Sequence, residues 1–456
     1  MAVIGLDIGT YSIKMSKKSE DGSVEFTERP TRVLYYPDEK EVVSVGEQAI
    51  LNYLDRHENI PFGVELLEGQ SVREKHLESM LAGIGGSTVE QVGVAITGNG
   101  INVNSIISAV NNAFQNAKVV DLDEVICAAA MYKTKDPETD RLVVCDLGYS
   151  ALKLGLCTFV NKAIQIKKTK RIEDLGWQVF QTRLLETFPE YVAIKDEPFL
   201  EPYRIRFRDD FLQQLENGGY KTGLEFVKTL EGGEILKTER GIHDQNFFTF
   251  GDAGKVLNVG VVHEQYHSFI TEVLDSIEKF LSENNATTTP IFVTGAGASP
   301  DGFKDLFTTS IENHTGNIRK EYVIISDNPK HTISEGAVGI AAGDLRVFEA
   351  IDKAITYKGP RLVNGKIENE YKITSPVNYL SSSNPYKLCR IVVSESVPSL
   401  MLSYGDKDFS LTREIECGNY DLVINMDRFG KVGFELRNNT DQAMIMKFER
   451  VNGHDR

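Results

Sequence analysis

The sequence has few cysteines and lacks any long apolar run. Its five cysteines are an odd number without CxxC spacing, and three of them fall inside predicted apolar elements. This pattern favours reduced core thiols over disulfides or a zinc site. No apolar run approaches the roughly 20 residues that span a bilayer, and no basic segment with an apolar signal core precedes the first predicted strand. We therefore expect a cytoplasmic protein.

The chain also has fewer positively charged than negatively charged residues. The 456 residues include 50 Lys and Arg against 66 Asp and Glu, which gives a net charge of −16. This balance provides no electrostatic footprint for nucleic acid or for an anionic membrane, so neither is an expected partner. A polyanion that binds this chain must therefore be held by local groups. The length predicts about two to four folding units.

One stretch near the start predicts a buried strand that turns into a phosphate-binding loop. The apolar run at residues 3–6 suits a strand interior, and Asp7 follows at the strand end. Gly9 allows the turn, so that the backbone amides of Thr10 and Tyr11 face an anion.

The same pattern returns over residues 142–150, where an apolar strand is followed by Asp146, an apolar residue and Gly148. Alternating apolar residues over 152–156 predict a second strand, which closes a hairpin around the loop. Either loop alone is compatible with an ordinary turn and a surface aspartate, and the repetition favours a phosphate site. Two hairpins that face each other would surround one polyphosphate, and Asp7 and Asp146 would hold Mg²⁺ through its water shell.

With these residues in view, the chain resembles the actin, sugar-kinase and heat-shock ATPase superfamily. Five segments carry the resemblance and occur in the family's order, and together they cover most of residues 1–345. They are similar to the first phosphate motif (residues 7–10), the first connecting helix (123–132), the second phosphate motif (146–148), the strand and glycine turn beneath the adenosine (291–300) and the second connecting helix (334–343).

The resemblance implies an α/β, two-lobed actin-like ATPase fold with duplicated ribonuclease-H-like lobes, which binds ATP or ADP with Mg²⁺. Lobe I would comprise about residues 1–165 and lobe II about residues 166–345. Asp7 and Asp146 would hold the metal and take part in slow hydrolysis of ATP to ADP and phosphate. The resemblance places these residues around the nucleotide: Gly9, Thr10, Tyr11, Lys14, Gly148, Tyr149, Ser150, Lys228, Gly295, Ala296 and Gly297.

Glu124 is the predicted hydrolytic residue, because a carboxylate near the γ-phosphate can orient or deprotonate the attacking water. The resemblance places a catalytic glutamate there in heat-shock chaperones, directly before a Pro-Thr-Ala-Ala-Ala run, and Val125 replaces that proline here. The alternative is that Glu124 is a helix-start acid favoured by the helix dipole.

Two lysines are further candidates. Lys14 stands seven positions after Asp7, where actin and plasmid-segregation filaments have a phosphate-binding lysine, and a lysine is a ready point charge for phosphates. Its alternative is a solvent-facing strand lysine. Residues 221–230 predict a helix whose Lys228 matches an adenine-packing lysine, although an exposed helix lysine is the commoner case. Apolar spacing also predicts helices over residues 103–117 and 266–281, and 71–81 is predicted to be helical.

The chain becomes β-rich after Gly343. Residues 390–393 and 411–417 predict strands, and residues 420–436 predict a hairpin that turns over 428–431. This hairpin is similar to the strand-turn-strand near the end of the β-sandwich in seventy-kilodalton heat-shock chaperones. The resemblance therefore implies a substrate-binding-like β-sandwich domain over residues 346–456, and we expect a form without the helical lid.

Some residues depart from the family pattern. Tyr149, Ser150 and Ala151 stand where chaperones usually have Gly-Gly-Thr, and Lys153 stands where a second acid is expected. These side chains crowd the loop and remove a carboxylate, which predicts slow hydrolysis or nucleotide binding without efficient turnover. The acidic, leucine-rich linker of chaperones is not evident near residues 345–355.

The resulting hypothesis is a heat-shock-type chaperone or peptide-binding ATPase with a nucleotide-dependent conformational change. Its expected partners are unfolded or extended peptide segments and a co-chaperone. The alternative is an actin-like cytoskeletal ATPase that self-associates into nucleotide-dependent filaments. A small-molecule kinase of the same superfamily is a third reading, for which the β-rich tail offers no role.

Overall fold

The computed structural model of the chain is a mixed α/β structure with several sheets. Contacts within the chain group it into two units, Met1–Thr158 with Ile166–Ala342, and Phe159–Gln165 with Gly343–Arg456. The structure describes residues 2–36, 41–59, 64–82, 84, 89–96, 103–115, 117–160, 163–187, 191–192, 196, 205, 208, 211, 246–250, 255–300, 303–348, 354–363, 366–373, 386–405, 407–426, 432–439 and 445–451.

The strands up to residue 342 include those on which the site is built. They are β1 (Ala2–Ile8), β2 (Ser12–Lys18), β3 (Val24–Pro30), β4 (Arg32–Tyr36), β5 (Glu41–Val45), β6 (Glu65–Glu68), β7 (Val89–Ile96), β8 (Lys118–Leu122), β9 (Arg141–Leu147), β10 (Leu152–Val160), β11 (Ala163–Ile172), β12 (Asn246–Phe250), β13 (Lys255–Asn258), β14 (Ile291–Thr294) and β15 (Val323–Ile325).

Helices alternate with these strands along the chain. They are α1 (Glu47–Asn59), α2 (Gln70–Lys75), α3 (Leu77–Leu81), α4 (Val103–Ala113), α5 (Glu124–Lys135), α6 (Trp177–Leu185), α7 (Val259–Glu283), α8 (Phe303–Asn313) and α9 (Thr332–Ala342).

Two sheets of this part repeat one arrangement. The first has the strand order β3-β2-β1-β7-β8, and the second contains the order β11-β10-β9-β14-β15. In each sheet the central strand forms an antiparallel hairpin with the strand that follows it, and pairs in parallel with a later strand on its other side. A second parallel strand completes that side. The repeat of the two Asp-x-Gly motifs is therefore also a repeat of strand topology.

Helix α9 packs very closely on the first sheet and on α5. A Cβ atom on Gly5 of β1 would lie 2.0 Å from the Ser334 carbonyl oxygen, and one on Gly336 would lie 1.7 Å from the Cys127 carbonyl oxygen. Only glycine permits these backbone approaches. The buried hydroxyl groups of Ser16 and Ser334 are 2.7 Å apart and share a hydrogen bond. This packing fixes α5, and with it Glu124, against the first sheet.

The three-and-four spacing over residues 266–281 predicts a core helix, and α7 confirms it. Its buried face, which includes Phe269, Val273 and Ile277, belongs to one apolar cluster with Trp177 and Phe180 of α6 and with residues of the second sheet. The same cluster includes Leu147 and Leu152 of the second hairpin. No helix within the described residues is both long and apolar enough to cross a membrane.

The helix predicted over residues 71–81 is wrong in one respect, because the structure divides it into α2 and α3 at His76. The backbone of His76 has φ −129° and ψ 16°, outside the helical region. Its ring packs on Tyr35 of β4 with a centroid distance of 5.0 Å. A tertiary contact therefore interrupts a segment whose local pattern favours one helix.

The elements described after residue 342 in the second unit are strands. They are β16 (Arg346–Phe348), β17 (Ile355–Val363), β18 (Lys366–Ile373), β19 (Tyr386–Val393), β20 (Leu400–Tyr404), β21 (Lys407–Leu411), β22 (Gly418–Met426), β23 (Val432–Asn438), β24 (Ile445–Lys447) and β25 (Glu449–Val451).

Two sheets of this unit, β18-β17-β20-β21-β25 and β19-β22-β23-β24, contribute to a single apolar core. Leu402 and Phe409 enter it from the first sheet, and Leu422 and Phe434 enter it from the second. Each observed strand pairing within these two sheets is antiparallel. Strand β16 pairs separately with the start of β11.

The hairpin predicted over residues 420–436 is confirmed, since β22 pairs with β23 in an antiparallel register. The predicted turn at 428–431 lies outside the described residues, as do the helix predicted at 221–230 and its Lys228. The strand predicted over residues 411–417 is wrong. Leu411 ends β21, whereas Ile415 forms an isolated bridge with Val397, so its apolar residues belong to different pairings.

Candidate functional site

The two predicted loops line one cleft. The empty space inside it is about 450 Å³, a figure that includes open solvent. The structure brings together almost all of the predicted site residues there: Asp7, Gly9, Thr10, Tyr11, Lys14, Glu124, Asp146, Gly148, Tyr149, Ser150, Gly295 and Ala296. Gly297 belongs to the same turn as Gly295 but is packed on Leu147.

In the first hairpin, the strand register places Asp7 and Lys14 side by side. The two residues are direct partners across β1 and β2, so their side chains project from the same face of the sheet. Lys14 Nζ lies 3.2 Å from Asp7 Oδ2, and both side chains are buried. The lysine predicted as a phosphate ligand is therefore an internal cation of the cleft, and the solvent-facing alternative is wrong.

The second hairpin repeats this pair. Asp146 and Lys153 are direct partners across β9 and β10, and Lys153 Nζ lies 3.2 Å from Asp146 Oδ2. Both motifs read Asp-x-Gly-x-x-x-x-Lys, with seven positions from the aspartate to the lysine. Sequence reasoning noticed Lys153 only as the loss of an acid. The equal spacing to Lys14 was the signal that identifies it as a second internal cation.

Glu124 reaches the same cluster from another element. It is the first residue of α5, where the Asp123 side chain caps the helix by accepting hydrogen bonds from the amides of Val125 and Ile126. Glu124 is buried, and Lys153 Nζ donates to its Oε2 atom. Lys153 thus joins Glu124 of a helix to Asp146 of a strand. Glu124 is a helix-start acid, as the alternative states, and it also binds an ammonium group of the cleft.

The cluster contains more negative than positive charge. Three carboxylates and two ammonium groups are all at most 9% exposed. Burial raises the pKa of Asp7 and of Asp146 above the usual carboxyl value; the paired lysines oppose that shift and the charge of Glu124 adds to it. Burial alone lowers the pKa of Lys14 and Lys153, but the neighbouring carboxylates outweigh it and raise both values. Both lysines therefore stay protonated at neutral pH.

The loops also supply backbone donors and an aromatic contact. The amides of Thr10 and Ser150 donate to no acceptor among the described residues. Tyr11 and Tyr149, one from each loop, stack with ring centroids 4.6 Å apart and an angle of 29°. The two loops therefore meet at the cleft.

A glycine turn packs against Asp146. Gly295 has φ +99°, a left-handed conformation that favours glycine, and its amide donates to the Pro329 carbonyl at 3.3 Å. A Cβ atom at this position would come within 2.5 Å of Asp146 Oδ1. That oxygen is buried and accepts no hydrogen bond from the described residues. The turn covers the side of Asp146 that Lys153 leaves open.

The described residues are poorly placed to coordinate the predicted Mg²⁺ directly. This ion prefers about six oxygen ligands and keeps several waters. The Oδ2 atoms of Asp7 and Asp146 are each bound by an ammonium group, and Asp146 Oδ1 is covered by Gly295. Within the described part of the chain, no three His, Cys, Asp or Glu side chains are arranged to hold a metal ion.

The cleft places two lysine ammonium groups beside three carboxylates, and ammonium groups are suitable donors to anions. Residues that sequence reasoning did not place here include Pro329, Ile333 and Lys330, whose Nζ lies 3.9 Å from Glu28 Oε2.

No protein-family model matches the chain, and no curated protein matches it.

Proposed function

We propose that the chain binds ATP or ADP in this cleft, with the polyphosphate between the two hairpins. The observation that carries the proposal is the pair of Asp-x-Gly-x-x-x-x-Lys hairpins that line one cleft. Ammonium groups and loop amides are the donors that phosphates require. The shared strand topology supports a finer proposal, that the two sheets are the cores of two actin-like lobes.

Calorimetric titration of the full chain with ATP, ADP and AMP tests nucleotide binding. We expect ATP and ADP to bind, and AMP to bind more weakly because it lacks the phosphates that both hairpins would contact. Titrations with and without Mg²⁺ are both needed. If neither nucleotide binds under either condition, the proposal is wrong.

We propose slow hydrolysis with Glu124 as the residue that orients or deprotonates water. Glu124→Gln keeps the shape of the side chain and removes the base. We expect nucleotide binding to persist and turnover to fall at least about a hundredfold, the usual contribution of general-base catalysis. Phosphate release measured under single-turnover conditions checks this. A variant as fast as the wild-type chain would remove Glu124 from the reaction.

We further propose that residues 346–456 form a β-sandwich that binds extended peptides, as in a heat-shock-type chaperone, and that the protein is cytoplasmic. Strand β19 supports peptide binding because it is an edge strand among the strands that the structure describes, and it leaves Val392 68% exposed and Tyr386 37% exposed. An edge strand offers backbone hydrogen bonds to an added strand. The five free cysteines are typical of a reducing compartment.

Val392→Lys should weaken peptide binding, because a charged residue on an edge strand blocks strand addition. The lost side-chain contact is worth about 1 kcal/mol, and we expect about a fivefold loss of affinity. Fluorescence anisotropy with a labelled unfolded apolar peptide, with and without ATP, measures it. Leu51→Lys on α1 is the matched control, since Leu51 is 52% exposed. Equal losses in both variants, or no peptide binding by the wild-type chain, would contradict the proposal.

The alternative function is an actin-like protein that forms nucleotide-dependent filaments with a second copy of the chain. The buried Asp7–Lys14 pair supports it, since Lys14 stands where actin and plasmid-segregation filaments have a phosphate-binding lysine. Sedimentation with ATP and with ADP separates the two functions. Pelleting in one nucleotide state would favour the filament, and a protein that stays in the supernatant would favour the peptide binder.

A further inference from the structure

We propose that the two buried lysine ammonium groups take the place of a divalent metal, so that the cleft binds the polyphosphate of its nucleotide without Mg²⁺. This inference rests on the proposed function and concerns the same cleft. It follows from where the lysines lie, which donors they retain and what their positions exclude.

Lys153 joins two buried carboxylates that come from separate elements of the fold. Its Nζ binds Glu124 at the start of α5 and Asp146 near the end of β9, two elements separated in sequence. Metal ions commonly join carboxylates from separate elements in this way, because each carboxylate needs a positive partner when it is buried. In this chain an ammonium group supplies that charge, and it is attached to the protein.

Both lysines keep hydrogen-bond donors for a ligand. An ammonium group has three N–H donors. Lys14 uses one on Asp7, and Lys153 uses one on Glu124 and one on Asp146. Counting acceptors on the described residues, Lys14 therefore retains two donors and Lys153 retains one, and both residues line the cleft with Thr10 and Ser150. These groups can contact phosphate oxygens while the carboxylates stay paired.

The same positions disfavour a divalent ion at the aspartates. An ion that reached Asp7 or Asp146 through water would lie within a few ångströms of an ammonium group that already binds the same oxygen, at 3.2 Å in each hairpin. Like charges at such distances repel strongly in a buried site. The remaining oxygen of Asp146 faces Gly295 and offers no open side.

The test is calorimetric titration of the wild-type chain with ATP and with inorganic triphosphate, in Mg²⁺ and in EDTA. We expect affinities that differ by less than threefold between the two buffers for both ligands. Binding that EDTA abolishes and Mg²⁺ restores would overturn the inference and leave the proposed function intact. No binding of ATP in either buffer would overturn both.

Two single variants sharpen the result. Lys153→Met removes one internal cation, and we expect affinity in EDTA to fall at least tenfold; Lys320→Met, an exposed lysine paired with Glu312, is the control and should change nothing. Asp7→Asn removes a negative charge and frees Lys14, so the affinity for triphosphate should stay equal or rise. A metal site would lose affinity in the same variant, and a tenfold loss in Mg²⁺ would overturn the inference. This second variant keeps the test valid if Lys153→Met does not fold.

Discussion

Gly336→Ala is expected to lower the free energy of unfolding by about 3 kcal/mol, near the upper end of typical overpacking costs. The added methyl would lie 1.7 Å from the carbonyl oxygen of Cys127, so α9 and α5 would have to separate. The neighbouring contacts of α9 resist that movement, because Gly5 already lies against its backbone at Ser334. The same displacement would shift Glu124 in the cleft.

Gly339→Ala in the same helix is the matched control. Apart from the adjacent backbone of α9 itself, no atom of the described residues lies within 4 Å of a Cβ built there. Alanine favours a helix over glycine by up to about 1 kcal/mol, so a small stabilisation is expected. Denaturant unfolding followed by the fluorescence of Trp177, the single tryptophan, measures both variants. Equal stability of the two variants would show that the close crossing of α9 and α5 is not rigid.

Replacing Asp7 and Lys14 together by Asn and Met is expected to weaken ATP binding at least about tenfold. Hydrogen bonds from a charged donor contribute about 1.5–3 kcal/mol each, and a tenfold change in affinity corresponds to about 1.4 kcal/mol. Removing both charges avoids leaving one buried and unpaired, so the fold should be retained. The corresponding exchange at Asp146 and Lys153 should have a similar effect on affinity, measured by the same calorimetric titration, but it also removes the ammonium group that binds buried Glu124 and is therefore expected to destabilise the fold more.

The control is the same exchange at Asp408 and Lys358, a pair in the second unit with an Nζ to Oδ1 distance of 2.8 Å. It removes the same residue types and leaves the cleft unchanged, so ATP affinity should not change. Thermal unfolding of all three double variants verifies that they fold. Wild-type affinity in both cleft variants would show that the hairpin lysines do not contact the phosphates.

The local sequence pattern was enough to predict the two hairpins of the cleft. Each hairpin is predicted from neighbouring residues alone: an apolar run before Asp7 or Asp146, a glycine two positions later and an alternating segment after it. Strands β1, β2, β9 and β10 form at these positions. The core helix α7 was predictable for the same reason, since its apolar spacing matches the helical period. The break of 71–81 at His76 was not predictable, because it accompanies a contact with Tyr35.

The sequence predicts the parts of the site that are formed by residues close together in the chain. It does not predict contacts between residues on different elements. The sequence by itself determined the two loops and placed an aspartate and a lysine seven positions apart in each, which strand register makes adjacent. Only the tertiary structure decided that Lys153 pairs with Glu124, a residue 29 positions away on another element. Burial makes that pairing necessary, since a charge removed from water requires a partner. In the sequence, Lys153 stands where a second acid is expected; in the folded chain, it binds both Glu124 and Asp146.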